Sequence, residues 1–266
     1  MKGLVEGKIA LVTGAGAGIG AAISELLAEH GATVAVVELN EEFGQRTVAT
    51  IEKAGGKAKF YPCDVADLDQ IQKTVEAVIL DYGRVDILVN NCGIANGDLI
   101  VDLSEANWHR VLEVNLTSMY RFAKLAVADM LKRKDGAIVN TSSIGGLLGG
   151  PNGLVYCTSK FGVNGLTRSL AADYARYNIR VNAVAPGMTY TDMARIGFES
   201  TGDAAKAKTQ LEKSLPIRRM AAPREIANGV LFFASGLGSY CAGSILPIDG
   251  GVTGCFWPFG GEPPAA

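Results

Sequence analysis

The feature that most constrains this chain is a regular alternation of short, β-branched runs with helical periods. KIALVT (8–13) precedes a glycine-rich turn and a helix whose apolar face is Ile19, Ile23, Leu26 and Leu27. TVAVVE (33–38) leads into a helix from Glu41 to Lys53. KAKFYPCDV (57–65) leads into one that carries Ile71, Val75, Val78 and Tyr82 on one face. RVDILVNN (84–91) is continuously apolar at its centre, as a strand covered on both faces should be. A helix from Ser104 to about Leu131, the strand AIVNTS (137–142), a helix from about Leu154 to Tyr177, and the strands IRVNAVAP (179–186) and SILPID (244–249) complete the pattern. Such alternation predicts an α/β fold: one doubly wound, Rossmann-like parallel sheet with helices on both faces and right-handed crossovers. Ligands of such sheets bind beyond the carboxyl ends of the strands.

Composition narrows the partners. The 266 residues are 48% hydrophobic, enough to bury a full core, and no linker interrupts them, so one domain is expected over 1–253 with a tail at 254–266. A net charge of -2 argues against nucleic acid or an acidic membrane surface as partner. No apolar run approaches the roughly 18 residues of a membrane span. The start, MKGLVEGKIALVTG, reads as a lead-in to the first strand and not as a signal peptide. Five dispersed cysteines without a C-x-x-C signal neither a disulfide framework nor a zinc site, and a reducing cytoplasm is the expected home. His30 and His109 stand apart from any acidic cluster, so no metal centre is expected.

The polar chemistry gathers at strand ends. After the first strand comes Gly14-x-x-x-Gly18-Ile19-Gly20, where glycines let a pyrophosphate approach the backbone and the N–H groups of the next helix. The commoner G-x-G-x-x-G spacing fails because position 19 is Ile. Glu38 closes the second strand. Its carboxylate can accept both hydroxyls of an adenosine ribose and repels a 2′-phosphate, by roughly 4 kcal/mol at 4 Å and an effective dielectric of about 20. With no Arg or Lys in the glycine turn or at 37, 39 and 40, NAD is expected over NADP.

Ser143 ends the fifth strand, and Tyr156 and Lys160 lie one helical turn apart on one helix face. Lowering a phenol from about 10 to about 7 takes roughly 4 kcal/mol, which one ammonium about 4 Å away supplies at an effective dielectric of about 20. Tyr156 is thus a candidate general acid and base. A Y-x-x-x-K pair alone also arises by chance on amphipathic helices.

These motifs, taken with Asp64-Val65, N-N-C-G at 90–93, Asn115, Y-C-T-S-K at 156–160 and P-G-M-T-Y-T at 186–191, resemble the short-chain dehydrogenase/reductase family from Lys8 to about Val252. The resemblance implies that Ser143 steadies the substrate oxygen and Tyr156 transfers the proton. Lys160 would lower the Tyr156 pKa and hold the nicotinamide ribose, while Asn115 would hold a water behind Lys160. It further implies cofactor contacts from Gly14, Gly18, Ile19, Gly20, Glu38, Asp64, Val65, Asn91, Gly93, Pro186, Gly187, Thr189 and Thr191. Cys92 stands where Ala is usual in the family, and Glu38 where Asp is commoner. Cys157, beside Tyr156, reads as a packed, inert thiol, since adjacent helical residues face different ways.

Substrate contacts are expected from Ile94, Ser143, Leu148, Asn152, Tyr156 and Met193, the last within a family-like substrate lid at about 188–222. Ile94 and Asn96 lie beside the cofactor end. This inventory is mostly apolar and suggests a bulky, hydrophobic secondary alcohol or ketone, a hydroxysteroid or bile acid being one candidate. The same side chains could equally serve to pack the lid. Reduction of a 3-oxoacyl thioester, a polyol or sugar substrate, and a non-catalytic NAD-binding protein are the alternatives. The aromatic tail Phe256-Trp257-Pro258-Phe259 is expected at a subunit interface, and a homotetramer or homodimer follows from the resemblance.

Overall fold

The computed structural model describes residues 3–95 and 97–255. Asn96 and the aromatic tail residues Phe256, Trp257 and Phe259 lie outside the described residues, as does the side chain of Met193. Seven strands, β1 (Ile9–Thr13), β2 (Thr33–Glu38), β3 (Lys57–Pro62), β4 (Ile87–Asn90), β5 (Gly136–Thr141), β6 (Ile179–Pro186) and β7 (Ile245–Ile248), form one sheet in the order β3-β2-β1-β4-β5-β6-β7. Every pairing is parallel. The helices are α1 (Gly18–Glu29), α2 (Glu41–Lys53), α3 (Leu68–Tyr82), α4 (Glu105–Leu112), α5 (Ser118–Arg133), α6 (Leu154–Tyr174), α7 (Asp192–Glu199), α8 (Ala204–Ser214) and α9 (Pro223–Ala234).

Strand alternation divides the core in two. Ala10, Val12, Val34, Val36 and Val89 point to the layer of α1 and α9, against Ile23, Leu27, Ile226 and Val230. Leu11, Ala35, Val37, Leu88 and Ile138 point to the other layer, against Ile71, Val75, Phe122 and Met130 of α3 and α5. Because β2 pairs one edge of β1 and β4 the other, the chain reverses its winding there, opening a crevice at the carboxyl end of β1. The glycine turn sits at that crevice.

The long helix expected from Ser104 departs from the reading in one respect. Between α4 and α5 the segment Glu113–Thr117 is π-helical, and Ser118 N–H bonds the Glu113 carbonyl five residues back. Asn115, wholly buried, sits in that segment. Such one-turn bulges gather at functional sites. The helix expected to reach Tyr177 ends at Tyr174 in a 3₁₀ turn. Beyond β6, main-chain bonds from Tyr190 to Ala221 and from Ala221 to Met188, 2.9 Å each, tie together the two ends of the segment that carries α7 and α8.

At the opposite end of the sheet a buried carboxylate fixes the strands. Asp86, 3% exposed, accepts from the Ile9 amide at 2.8 Å, from Arg84 Nε at 2.9 Å and from Arg133 Nη1 at 2.9 Å. Removing it strands the Ile9 main-chain donor and deprives Arg84 of its carboxylate, while Arg133 keeps Asp129 at 3.0 Å. We predict that Asp86→Ala lowers the unfolding free energy by about 3 kcal/mol or more in urea titrations. A loss below about 1 kcal/mol would assign the network no more weight than a surface pair.

Candidate active site

The glycine turn is shaped by close approach. Gly14 and Gly18 take φ of 61° and 53°, in the left-handed region. A Cβ at Gly20 would lie 1.9 Å from the Gly14 carbonyl oxygen, and one at Gly16 would lie 2.8 Å from both Glu38 Cγ and Phe43 Cβ. Thr13 Oγ1 accepts from the amides of Asn91 and Cys92, and Asn91 Nδ2 donates to the carbonyls of Thr13 and Gly14. The Asn91 side chain therefore braces the turn from behind. The N-terminus of α1 carries no side-chain cap and no acid in its first turn, leaving its N–H groups to an anion.

Glu38 ends β2 as expected. Its carboxylate accepts from the amides of Gly16 (3.1 Å), Leu39 (2.9 Å) and Asn40 (3.1 Å). It helps line a cleft of about 140 Å³ with Gly14, Asp64, Val65, Cys63, Cys92 and Arg110. Ile94 lines the same cleft. Asn115 Oδ1 accepts from the Ile94 amide at 2.8 Å and its Nδ2 donates to the Ile94 carbonyl at 2.9 Å, fixing that residue's backbone. Arg110, 3.7 Å from Asp64, escaped the sequence reading, since a lone Arg on an exposed helix carries no signal. So did Arg46, whose guanidinium donates to the Gly16 carbonyl and lies 4.9 Å from the Phe43 ring. A turn with no room for side chains, an uncapped helix start and an acid-rimmed cleft together fit a dinucleotide.

On the other side of the crevice the reactive side chains converge. Lys160, 3% exposed, donates from Nζ to the Thr141 carbonyl at 2.8 Å and lies 5.8 Å from the Tyr156 ring centre. A Cβ at Gly93 would be 3.4 Å from both Lys160 Nζ and Asn115 Oδ1, so Gly93 sits against the reactive side chains. Asn115 also donates to Ser159 Oγ at 3.1 Å, and Ser159 donates to the Tyr156 carbonyl at 2.6 Å. Asn115 thus ties the loop after β4 to α6. Ser143 Oγ accepts from the Gly145 amide at 3.0 Å, and Ser143 is the group that draws the Tyr156 phenol downward against burial.

The expected acidic phenol is not found. Burial pushes Tyr156 above its ordinary value, and Ser143 only partly opposes it. Desolvation of the phenolate, which residue spacing does not reveal, is the largest cause. Burial in turn lowers Lys160 itself to about 8. Cys92 is pushed up to about 11, chiefly by burial and then by Glu38, which makes it a poor nucleophile.

The remaining candidates flank these two halves. Thr191 caps α7 through a bond from the Ala194 amide, and a Cβ at Gly18 would lie 3.2 Å from its Cγ2, which puts Thr191 over the glycine turn. Thr189 donates to the Gly187 carbonyl at 3.2 Å, and a Cβ at Gly187 would lie 2.7 Å from Asp249 Cα. Leu148 and Asn152 are exposed on the loop before α6, with Asn152 at φ 57°. Among the described residues no group of three or more His, Cys, Asp or Glu could hold a metal ion. No helix among them is long and apolar enough to cross a membrane.

Fold and site together define a dinucleotide-dependent oxidoreductase of the short-chain type, and comparison with known proteins agrees. The family described as Enoyl-(Acyl carrier protein) reductase matches residues 14–253. A 3-oxoacyl-(acyl-carrier-protein) reductase of Thermotoga maritima is 40% identical over 93% of this chain and 98% of its own. The cyclopentanol dehydrogenase of a Comamonas species is 38% identical over 94% and 99%. The crystal structure of levodione reductase superposes with a TM-score of 0.91 at 31% identity, covering 94% of this chain and 99% of that one. The chain belongs to the short-chain dehydrogenase/reductase family and is an oxidoreductase acting on CH–OH or keto groups.

Lys160 supplies a pH test. Its folded-state value of about 8 lies below the ordinary lysine value of 10.5, so between those limits the unfolded chain binds more protons and stability rises with pH. We predict that the unfolding free energy of the parent, measured against Lys160→Met, gains up to about 1.4 kcal/mol per pH unit from pH 8 upward. A flat difference across that window would mean that the ammonium is not desolvated.

Proposed function

We propose that this chain interconverts a secondary alcohol and a ketone with NAD as the preferred cofactor. The observation that carries the reading is the convergence of Ser143, Tyr156, Lys160 and Asn115 at the rim of the crevice that holds the glycine turn. A protein that only binds dinucleotides needs the turn and Glu38 but has no use for the four. When bound, the nicotinamide supplies the hydride acceptor or donor. The chain's residues do the rest. Ser143 donates a hydrogen bond to the substrate oxygen, and Tyr156 takes the hydroxyl proton in oxidation and returns it in reduction. Lys160 offsets the phenolate charge, and Asn115 with Ser159 fixes the helix that carries both. Tyr156→Phe is expected to lower kcat by about 10²- to 10⁴-fold with dinucleotide binding retained.

NAD preference rests on Glu38. Three amides hold its carboxylate at the cleft, where a 2′-phosphate would meet like charge. Glu38→Ser is expected to raise kcat/KM for NADP relative to NAD by roughly 10²- to 10³-fold. An unchanged ratio would locate selectivity elsewhere, with Arg46 the first residue to examine.

Met188, Tyr190 and Ile196 on the lid segment and Leu148 and Leu154 on the facing loop and helix are all exposed, and they favour an apolar substrate. The names of the relatives above favour a carbocyclic alcohol or ketone, or a 3-oxoacyl thioester, over a steroid or bile acid. Reduced-nicotinamide absorbance against cyclopentanol, 3-oxoacyl thioesters, bile acids and polyols separates these readings. Preference for polyols would remove the apolar-substrate reading, and no turnover with any alcohol or ketone in a broad screen would favour the dinucleotide-binding protein. Exposed Tyr120 and Phe161 on α5 and α6 agree with assembly into a homodimer or homotetramer in the reducing cytoplasm.

A further inference from the structure

Gly145 is a glycine without a backbone reason to be one. Its φ lies outside the left-handed region, so an L-residue could take its conformation. Its neighbour Gly146 is accounted for by packing, since a Cβ there would meet Ser142 Oγ at 2.6 Å and the Lys160 carbonyl at 2.7 Å. The surroundings of Gly145 are instead the reactive group itself. A Cβ at 145 would lie 3.1 Å from Tyr156 Cε1, 3.3 Å from Cδ1 and 3.4 Å from Cys157 Sγ. At the same time the Gly145 amide donates to Ser143 Oγ at 3.0 Å. An oxygen that accepts this bond directs its own proton elsewhere, and the Tyr156 ring packs against this same turn.

Resting on the function just argued, we propose that Gly145 is a positioning residue for Tyr156. Its amide orients the Ser143 hydroxyl, and its missing side chain lets the phenol ring seat against the 3₁₀ turn Ile144–Gly146 at the height where Ser143 reaches it. Cys157 is the small back wall of the same space. This gives the thiol beside Tyr156 a role in shape and none in chemistry.

The proposal makes Gly145 and Cys157 a coupled pair. In Gly145→Ala the new methyl presses the ring aside by a few tenths of an ångström, and the influence of Ser143 on the phenol weakens. A misplacement near 1 Å costs about 10²-fold, so about tenfold is expected in kcat with the best alcohol of the screen, while KM for NAD stays within about twofold. The Tyr156 phenol, followed by ultraviolet titration against a Tyr156→Phe blank, should move to higher pH by about half a unit. Cys157→Ala alone should stay within about twofold of the parent, and Gly145→Ala/Cys157→Ala should recover most of the lost kcat and restore the phenol titration, because the methyl gains the volume the sulfur vacates. Dinucleotide binding certifies folding in each variant.

A Gly145→Ala chain with parental kcat and an unmoved phenol overturns the proposal. So does a double variant that binds dinucleotide but recovers neither. Failure of the underlying reading looks different: Tyr156→Phe would then turn over at the parental rate, whatever Gly145 does.

Discussion

An ammonium buried at the carboxyl edge of a parallel sheet is the constraint on which the rest of this site depends. Lys160 is 3% exposed, and its Nζ donates to the carbonyl of Thr141 at the end of β5. Desolvating a charge so fully is costly, and burial accordingly draws the group down to about 8. That cost is sustained because α6 is held on both sides. Asn115 and Ser159 bind it to the loop after β4, and Asn164 donates from α6 to the Gly146 carbonyl at 2.8 Å. A cation kept this dry acts strongly on any charge that develops beside it.

The same burial works against Tyr156. The phenol is pushed up, and only Ser143 pulls it back. The lysine gives one of its three N–H donors to the Thr141 carbonyl 2.8 Å away and sits 5.8 Å from the centre of the phenol ring. The chain alone therefore holds the acid–base pair in its protonated form. Geometry comes ready-made and acidity does not.

How much of this could be read from the residues depends on range. Continuous apolar runs such as Ile87–Val89 can only be central strands, so the order of elements and the parallel sheet follow from periodicity. Gly14, Gly18 and Gly20 were legible because no other residue fits a turn with a Cβ-to-carbonyl distance of 1.9 Å, and Glu38 because it ends a strand. The π-helical segment at Asn115 was not legible, since its helical period looks like that of any amphipathic helix. Nor were the two bonds that tie the Ile94 backbone to Asn115, 21 positions away. The phenol's upward shift was missed for a related reason: a charge–charge estimate needs only spacing, whereas desolvation needs the whole surrounding fold.

Relatives sharing nearly the full length of this chain carry the names of enzymes for quite different ketones and alcohols, so the catalytic floor does not select the substrate. On the reading proposed here, selection would fall to the segment pinned at Thr189 and Ala221 and to the exposed loop around Leu148 and Asn152. The most direct test of the account is the ionisation of Tyr156 in the dinucleotide-free protein, resolved as the phenolate absorbance that disappears in Tyr156→Phe. It should titrate above the ordinary tyrosine value of about 10. A midpoint near neutrality in the absence of cofactor would contradict the claim that burial outweighs the lysine's charge.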